Sequence, residues 1–417
     1  MKDGQISEEM KSRLIRANLP ATYEELVALA AGVGIPADIL LSEEGWLQLP
    51  TYLNKANLLD DVTEEAIWGD AADRTVNAAL KMLADVAYGR VATLHLTIKD
   101  TTGAAIPDVT VKLDSAAVVG TDPRTDENGE ITISTNGGQH TIYLIYPMGY
   151  TVESTTQAVE ISGVRDLEIK NVARSSESYF TISTSKNFYI ARYLSPVQLD
   201  IRGGAGGGAC RVATSMSSGE TFNCQGGAGG YQNVQTAVDV AGKLIRAIIG
   251  AGGKGKKTTG SANSAGSRGG TTTVYIGDIT HTAKGGAGGG FSTSRNTDGG
   301  APGGWGNRGG ATGDSINGGD GPRLFNDSSL PRKGAGGGGA YFYWKGNSAG
   351  DYQQYSGDGG KEGGTDGVAN YIGSGNILAD DATNASGGGA CAVRNDRSGS
   401  CGSGDGGSGF VAFRKAV

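Results

Sequence analysis

The sequence predicts a multidomain chain: an N-terminal α-helical segment, a small β-sandwich, and a C-terminal glycine-rich domain of short β-strands and polyglycine-II-like helices. Three observations carry that expectation. Apolar residues recur with helical spacing before residue 90, the period then changes to two, and most of the 73 glycines of the 417-residue chain lie beyond residue 201. The corresponding segments are 1–90, a helical base for attachment and oligomerisation; 91–175, the β-sandwich; 176–201, a β connector; and 202–417, the glycine-rich distal domain.

In the first segment, Ser7 followed by Glu8 and Glu9 can cap a short helix carrying Met10, Leu14 and Ile15, which Pro20 stops. Thr22 to Ala31 reads as a second helix, closed by Gly32 and Gly34. Ala66, Ile67, Ala71, Val76, Ala79, Leu80, Leu83 and Val86 form an apolar stripe along Glu64 to Tyr88. Such a stripe needs cover. Leu47 to Leu59 offers it within the chain, and identical copies offer it across a symmetry axis, a trimer being favoured.

From Val91 the alternation Thr93-Leu-His-Leu-Thr-Ile98 marks a strand, and Val109 to Leu113, Glu130 to Ile133, Thr141 to Ile145 and Tyr150 to Val152 repeat the pattern between turn-forming clusters. Short strands at this spacing describe a β-sandwich. Further strands at Asp166 to Lys170, Ser178 to Ile182 and Ser195 to Ile201 lead into Gly203. A strand running into a glycine string then recurs, as Lys243 to Ile249 entering Gly250 and Thr272 to Ile276 preceding Gly285; Gly406 to Phe413 is the same unit reversed. Trp305, Tyr341 to Trp344, Tyr352, Tyr355 and Tyr371 stand among these glycines, whereas disordered linkers are poor in aromatics. The domain is therefore expected to be ordered. Consecutive glycines exclude the collagen repeat and leave closely approaching extended backbones whose polar groups pair between neighbours.

A net charge of −7 argues against nucleic acid or an anionic membrane as partner. No window approaches the ~20 apolar residues of a membrane span, and no apolar run follows the N-terminus as an export signal would require. Cys210, Cys224, Cys391 and Cys401 lie outside metal-knuckle spacing and are read as free buried thiols, with two loop-closing disulfides as the alternative. Gly250 to Lys256 nearly matches a phosphate-binding loop, but Lys257 stands where Ser or Thr is required and no helix follows. Arg124 to Gly129 is read as a β-turn, because Arg124 occupies the first ligand position of the calcium loop it approximates. His95, His140 and His281 assemble no triad, and Asp320, Asp351 and Asp358 are too scattered for a glycosidase pair. No enzyme activity, cofactor or metal is expected.

Leu94 to Ile98, Pro107 to Leu113, Thr125 to Ile133 and Gly149 to Val152 resemble bacterial immunoglobulin-like modules of the carboxypeptidase-regulatory or collagen-adhesin B type, which implies an Ig-like spacer. By the same analogy Lys99 or Lys112, Glu130 and Asn171 are candidates for an intramolecular isopeptide cross-link. Ile248-Ile-Gly-Ala-Gly-Gly-Lys-Gly255 and Gly407-Ser-Gly-Phe-Val-Ala-Phe413 resemble the glycine-rich C-terminal domains of phage tail-fibre and receptor-binding proteins, including polyglycine-helix tip adhesins. That resemblance implies a virion tail protein, assembled in the host cytoplasm, docked on other tail or baseplate proteins through 1–90. Through 202–417 it would attach to a host surface polysaccharide or surface protein. A non-binding collar, baseplate or decoration protein and a polysaccharide-degrading fibre are the alternatives. Receptor contact is expected in segments interrupting the glycine strings, at Arg295, Asn296, Trp305, Asn307, Arg308, Asn347, Tyr352, Tyr355 and Arg397, where aromatic faces stand near polar donors.

Overall fold

The computed structural model describes residues 92–213, 221–259, 262–292, 317–344, 352–356, 358–359, 365–366, 368–382, 387–388 and 391–416. The expected N-terminal helices fall outside these residues. The fold class needs correction. Apart from two three-residue 3-10 turns, Arg192–Leu194 and Leu324–Asn326, regular structure among the described residues is entirely β, and the glycine strings carry no helix. Neither the α-helical segment nor the polyglycine helices belong to the fold so described; β-sheets and extended glycine segments build it.

Seven strands make the first module: β1 (Ala92–Asp100), β2 (Thr110–Leu113), β3 (Glu130–Thr135), β4 (Gly138–Ile145), β5 (Tyr150–Val152), β6 (Thr156–Ile161) and β7 (Val164–Arg174). They form sheets ordered β3-β1-β7-β5 and β2-β4-β6. Ala92, Leu94, Leu96 and Ile98 are buried at alternate positions of β1, as its period of two requires. Backbone contacts divide the chain into two compact units, 1–95 with 132–139 and 160–166, and 96–131 with 140–159 and 167–417. In the first, Thr93 N–H donates to the Gly163 carbonyl (2.8 Å), and His95 Nδ1 lies 2.9 Å from the Thr132 hydroxyl.

The second unit adds β8 (Phe180–Ile182), β9 (Lys186–Phe188), β10 (Val197–Arg202), β11 (Cys210–Ala213), β12 (Thr221–Cys224), β13 (Gln232–Val238), β14 (Ile245–Ile248), β15 (Lys257–Thr259) and β16 (Ala262–Ser264). It continues with β17 (Thr272–Ile276), β18 (Ile279–Ala283), β19 (Phe291–Ser292), β20 (Ala340–Trp344), β21 (Tyr352–Ser356), β22 (Val368–Leu378), β23 (Cys391–Gly402) and β24 (Phe410–Lys415). Four sheets result, ordered β13-β10-β24-β8, β18-β17-β14-β9, β15-β23-β11-β16 with β22 also on β23, and β19-β12-β20-β21. The first two share a core of Ile182, Phe188, Leu199, Ile201, Ile245, Val274, Ile276 and Val411 around Phe413. The Phe413 ring stacks on Phe180 and Phe188, with centroids 5.3 and 6.2 Å apart.

Glycine strings shuttle between these sheets and the other two: 203–209 joins β10 to β11, 225–231 joins β12 to β13, and 403–409 joins β23 to β24. String 203–209 is central. The N–H groups of Gly203, Gly206 and Ala209 donate to string 225–231, those of Gly204 and Gly207 to 267–270, and those of Ala205 and Gly208 to 404–407, at 2.8–3.0 Å. Its carbonyls accept in turn from Gly253, Gly286, Gly289 and Gly388. Every third residue thus faces the same neighbour, and the buried backbone groups that would each cost ~1–3 kcal/mol unpaired are satisfied laterally. A Cβ on Gly206 would land on the Ala287 carbonyl, and one on Gly252 on the Gly406 carbonyl, so side chains are excluded by neighbouring backbone.

Asp108 ties segments of the second unit together. Its buried carboxylate accepts from Arg124 Nη1 and Arg192 Nε, both at 2.8 Å, while Arg124 also donates to the Gly242 carbonyl (3.0 Å). Hydrogen bonding to Asp108 raises the Arg192 pKa. The segments of Asp108 and Arg124 are therefore tied to those of Arg192 and Gly242.

Candidate functional site

Of the residues expected to touch a receptor, Tyr352 and Tyr355 lie on β21, the edge strand of its sheet. Their backbone partners on β20 are Trp344 and Tyr341. Tyr355 is 51% exposed, beside exposed Gln354 and Ser356. Arg397 lies on β23, in a different sheet, so the two tyrosines share an element and the arginine does not. Arg295, Asn296, Trp305, Asn307, Arg308 and Asn347 fall outside the described residues.

A second surface emerges from sheet β18-β17-β14-β9. Alternation sends Ile245 and Ala247 of β14, and Val274 and Ile276 of β17, into the core. Arg246, Ile248 and Tyr275 therefore point outward. Register then aligns Thr280 with Tyr275, Tyr275 with Arg246, and Arg246 with Asn187, one exposed residue from each strand. Directly opposed side chains on adjacent strands stand ~5 Å apart at Cβ, so the four form a continuous row. The Arg246 guanidinium lies 5.8 Å from the Tyr275 ring centroid. Exposed Ile248 and Ile279 add apolar surface on the same sheet. His281, opposite Val274, is half-buried and its pKa is lowered by desolvation, which keeps its ring neutral near pH 7.

The row offers an aromatic face, a guanidinium fork, an amide and a hydroxyl. That set suits hydroxyl-rich or mixed polar and apolar ligands. It contains no carboxylate or activated nucleophile. None of its residues interrupts a glycine string, so it lies outside the expected contact segments, yet the period-two pattern of Lys243 to Ile249 and Thr272 to Ile276 marks Arg246 and Tyr275 as outward.

Other expectations resolve on backbone chemistry. In the phosphate-loop-like stretch, Gly250 N–H donates to Thr272 Oγ1, Gly253 N–H to the Ala205 carbonyl, Gly255 N–H to Asp405 Oδ1 and Lys256 N–H to Ser403 Oγ. These donors are consumed by neighbouring strings, and Lys254 pairs with Asp405. Asp126 Oδ1 accepts from the N–H groups of Asn128 and Glu130, and Gly129 has φ +74°, as a tight turn requires. For the isopeptide, Lys99 instead reaches Glu168 and Lys112 instead reaches Asp122 (3.2 Å), both partly exposed ion pairs. Cys210 and Cys224 are free and buried; Cys401 is disulfide-bonded, which departs from the reading of four free thiols. Among the described residues no group of three or more His, Cys, Asp or Glu could hold a metal ion. No helix among them is long and apolar enough to cross a membrane.

Three solved structures illustrate the similarity. The minor pilin GBS52 of Streptococcus agalactiae matches with 19% identity and TM-score 0.18, over 21% of this chain and 46% of that one. A streptococcal ancillary pilin matches with 15% identity and TM-score 0.20, over 46% and 58%. The Bacillus anthracis TIE protein matches with 8% identity and TM-score 0.18, over 47% and 48%. This chain therefore spans about half the length of each. No curated protein sequence matches it. A family model does: the glycine-rich domain model covers residues 183–416, more than half of the chain, and the protein belongs to that glycine-rich domain family.

Proposed function

We propose that the chain is a non-enzymatic attachment protein of a tailed-bacteriophage particle, a tail fibre or tip adhesin. Residues 202–417 bind a host surface polysaccharide or surface protein. Residues 1–90 dock on other tail or baseplate proteins and assemble the chain into a homo-oligomer, a trimer being favoured. The protein takes its place on the virion tail after assembly in the host cytoplasm.

The observation that carries this reading is the combination of a layer of glycine strings, packed so closely that neighbouring backbone leaves no room for a Cβ at Gly206 or Gly252, with the exposed row Arg246, Tyr275 and Thr280, flanked by Asn187, on a sheet fixed to it. A layer whose backbones touch and hydrogen-bond laterally has few internal freedoms, so side chains on its strands are presented at fixed spacing. Preorganised display lowers the ordering cost of binding.

Full-length protein incubated with a panel of bacterial cells and their extracted surface polysaccharides tests the proposal. Saturable binding without release of oligosaccharide, lost in Arg246→Ala/Tyr275→Ala, is the expected result. Released oligosaccharide would make the protein a depolymerase, and absence of binding across the panel would favour a collar or decoration role.

A further inference from the structure

At its paired positions, the outward face of sheet β18-β17-β14-β9 carries one cation and no carboxylate. Arg246 stands between Asn187 and Tyr275, Tyr275 pairs with Thr280, and the next row along the strands is Ile248, Thr273 and Thr282. Asp278 sits in the β17–β18 turn, beyond the last paired residues Ile276 and Ile279. Lys186, opposite buried Ala247, belongs to the other face. Arg246 makes no hydrogen bond or ion pair among the described residues; its contact is with the Tyr275 ring, 5.8 Å from guanidinium to centroid. The charge is exposed, oriented by the ring beside it, and unspent.

Neighbouring strands lie ~4.8 Å apart, so the row from Thr280 to Asn187 runs ~14 Å across the sheet. An extended polysaccharide advances by about one such spacing per sugar ring, which lets consecutive rings meet consecutive side chains. Tyr275 offers its face to the apolar side of a ring, while Asn187 and Thr280 match hydroxyls. The Arg246 fork holds a carboxylate through two parallel N–H donors. One cation among four positions matches an acid that recurs at intervals. A polymer charged at every ring would set unmatched carboxylates against the other positions and against the net charge of −7. Ile248 is the one aliphatic residue in the two rows, so the apolar centre typical of a protein–protein interface is lacking there.

We propose that this row binds a linear polysaccharide carrying carboxylates on spaced sugars. The chain lies across the strands, with a carboxylate on Arg246 and the adjacent ring on Tyr275. The inference rests on the attachment reading above and names the chemistry of its ligand.

The test is microcalorimetry of the full-length protein with three probes. Gellan oligosaccharides carry uronic acids separated by runs of neutral sugars; the second probe is the same oligosaccharides with their carboxylates reduced to alcohols; the third is oligogalacturonate, charged at every ring. Intact gellan oligosaccharides are expected to bind about tenfold more tightly than the reduced ones, the value of a charge-assisted hydrogen-bonded contact, and more tightly than oligogalacturonate. Arg246→Gln should erase the difference between intact and reduced forms, and Tyr275→Ala should weaken both alike. Lys243→Ala removes the same charge outside the row and should bind as the unaltered protein does; circular dichroism checks that each variant is folded. Equal binding of intact and reduced forms, a difference that survives Arg246→Gln, or an equal loss in Lys243→Ala would overturn the proposal. Failure to bind gellan oligosaccharides would overturn it too, and binding of the same protein to bacterial cells then judges the attachment reading separately: cells bound through a surface protein keep that reading, and cells left unbound remove both.

Discussion

Replacing Asp200 by Asn removes one charge from a pair that is fully buried on both sides. Arg202 Nε and Nη2 donate to the two Asp200 oxygens at 2.6 and 2.9 Å, and the carboxylate also accepts from Gln232 Nε2 (2.8 Å) and the Phe325 N–H (2.7 Å). Arg202 in turn donates to the carbonyls of Lys333 and Arg323, both at 3.0 Å. Together the two side chains fasten residues 322–333 to β10, including Phe325 and Asn326, which hold left-handed φ values of 53° and 59°. Asn keeps the size and one acceptor but leaves the Arg202 guanidinium uncompensated where no water reaches it. Breaking such a buried pair costs about 3–5 kcal/mol, or roughly 6–20 °C in thermal midpoint for a domain of this size. Calorimetry of Asp200→Asn should show that drop, with faster amide exchange across 322–333. Lys243→Ala serves as control, because its pair with Asp239 is 40% and 63% exposed and such pairs contribute at most about 1 kcal/mol. If the two variants lose the same small amount, the buried pair does not anchor the segment and the reasoning fails.

Four further outcomes are expected. Gly206→Ala should lose at least 1–3 kcal/mol in chemical denaturation, the usual cost of overpacking, because its methyl would meet Ala287 backbone, whereas Gly163→Ala meets nothing and carries only the strain of φ +63°. In carbon-detected titration, Asp239 should ionise at about 2, held there first by Lys243 and then by the Ala241 N–H and Ser195 hydroxyl; its folded pKa is depressed, so its stabilisation is present above 3.8 and fades as pH falls toward 2. Cys210, whose thiol burial pushes up to about 12, and the fully buried Cys224 should resist a thiol reagent at pH 8 until denaturant is added; rapid native labelling would contradict their burial. Tyr146→Phe should raise the thermal midpoint, since it deletes a buried hydroxyl without a described partner.

The strand-to-glycine unit was legible because both halves are local: Val197 to Arg202 alternates, and Gly203 cannot continue a strand that needs side chains to pack. Strand order was not legible. The sheet β13-β10-β24-β8 unites segments more than two hundred residues apart, and β11 with β23 and β22 with β23 pair in parallel. Apart from the methyls of Ala205 and Ala209, string 203–209 carries no side chain, so its sequence is silent on whether 267–270 or 404–407 lies beside it. The helices expected in the glycine-rich domain are absent from the described residues for a related reason: glycine composition signals backbone freedom but not the conformation adopted, and the described order consists of β-strands joined by laterally bonded strings. The burial of Asp200 and Arg202 was not legible either, because their partners Arg323, Phe325 and Lys333 stand more than a hundred residues away in sequence.

Neighbour choice among the strings must then come from their ends. String 203–209 is fixed by β10, whose register with β13 and β24 spans Val197 to Arg202, and by β11, paired with β16 and β23. Pairing at both ends sets the axial position of each string to within a residue, and the lateral hydrogen bonds follow. A one-residue slip at β10 would invert every side chain there, taking Leu199 and Ile201 out of the core they share with Phe413 and turning the charged Asp200 and Arg202 into it. The same slip would change which glycine carbonyl faces each N–H. The layer thus inherits its order from the sheets and returns rigidity to them. Substitutions on outward strand positions such as Arg246, Tyr275 and Thr280 leave both sources of order untouched, so the surface chemistry of this sheet can change without rebuilding the scaffold.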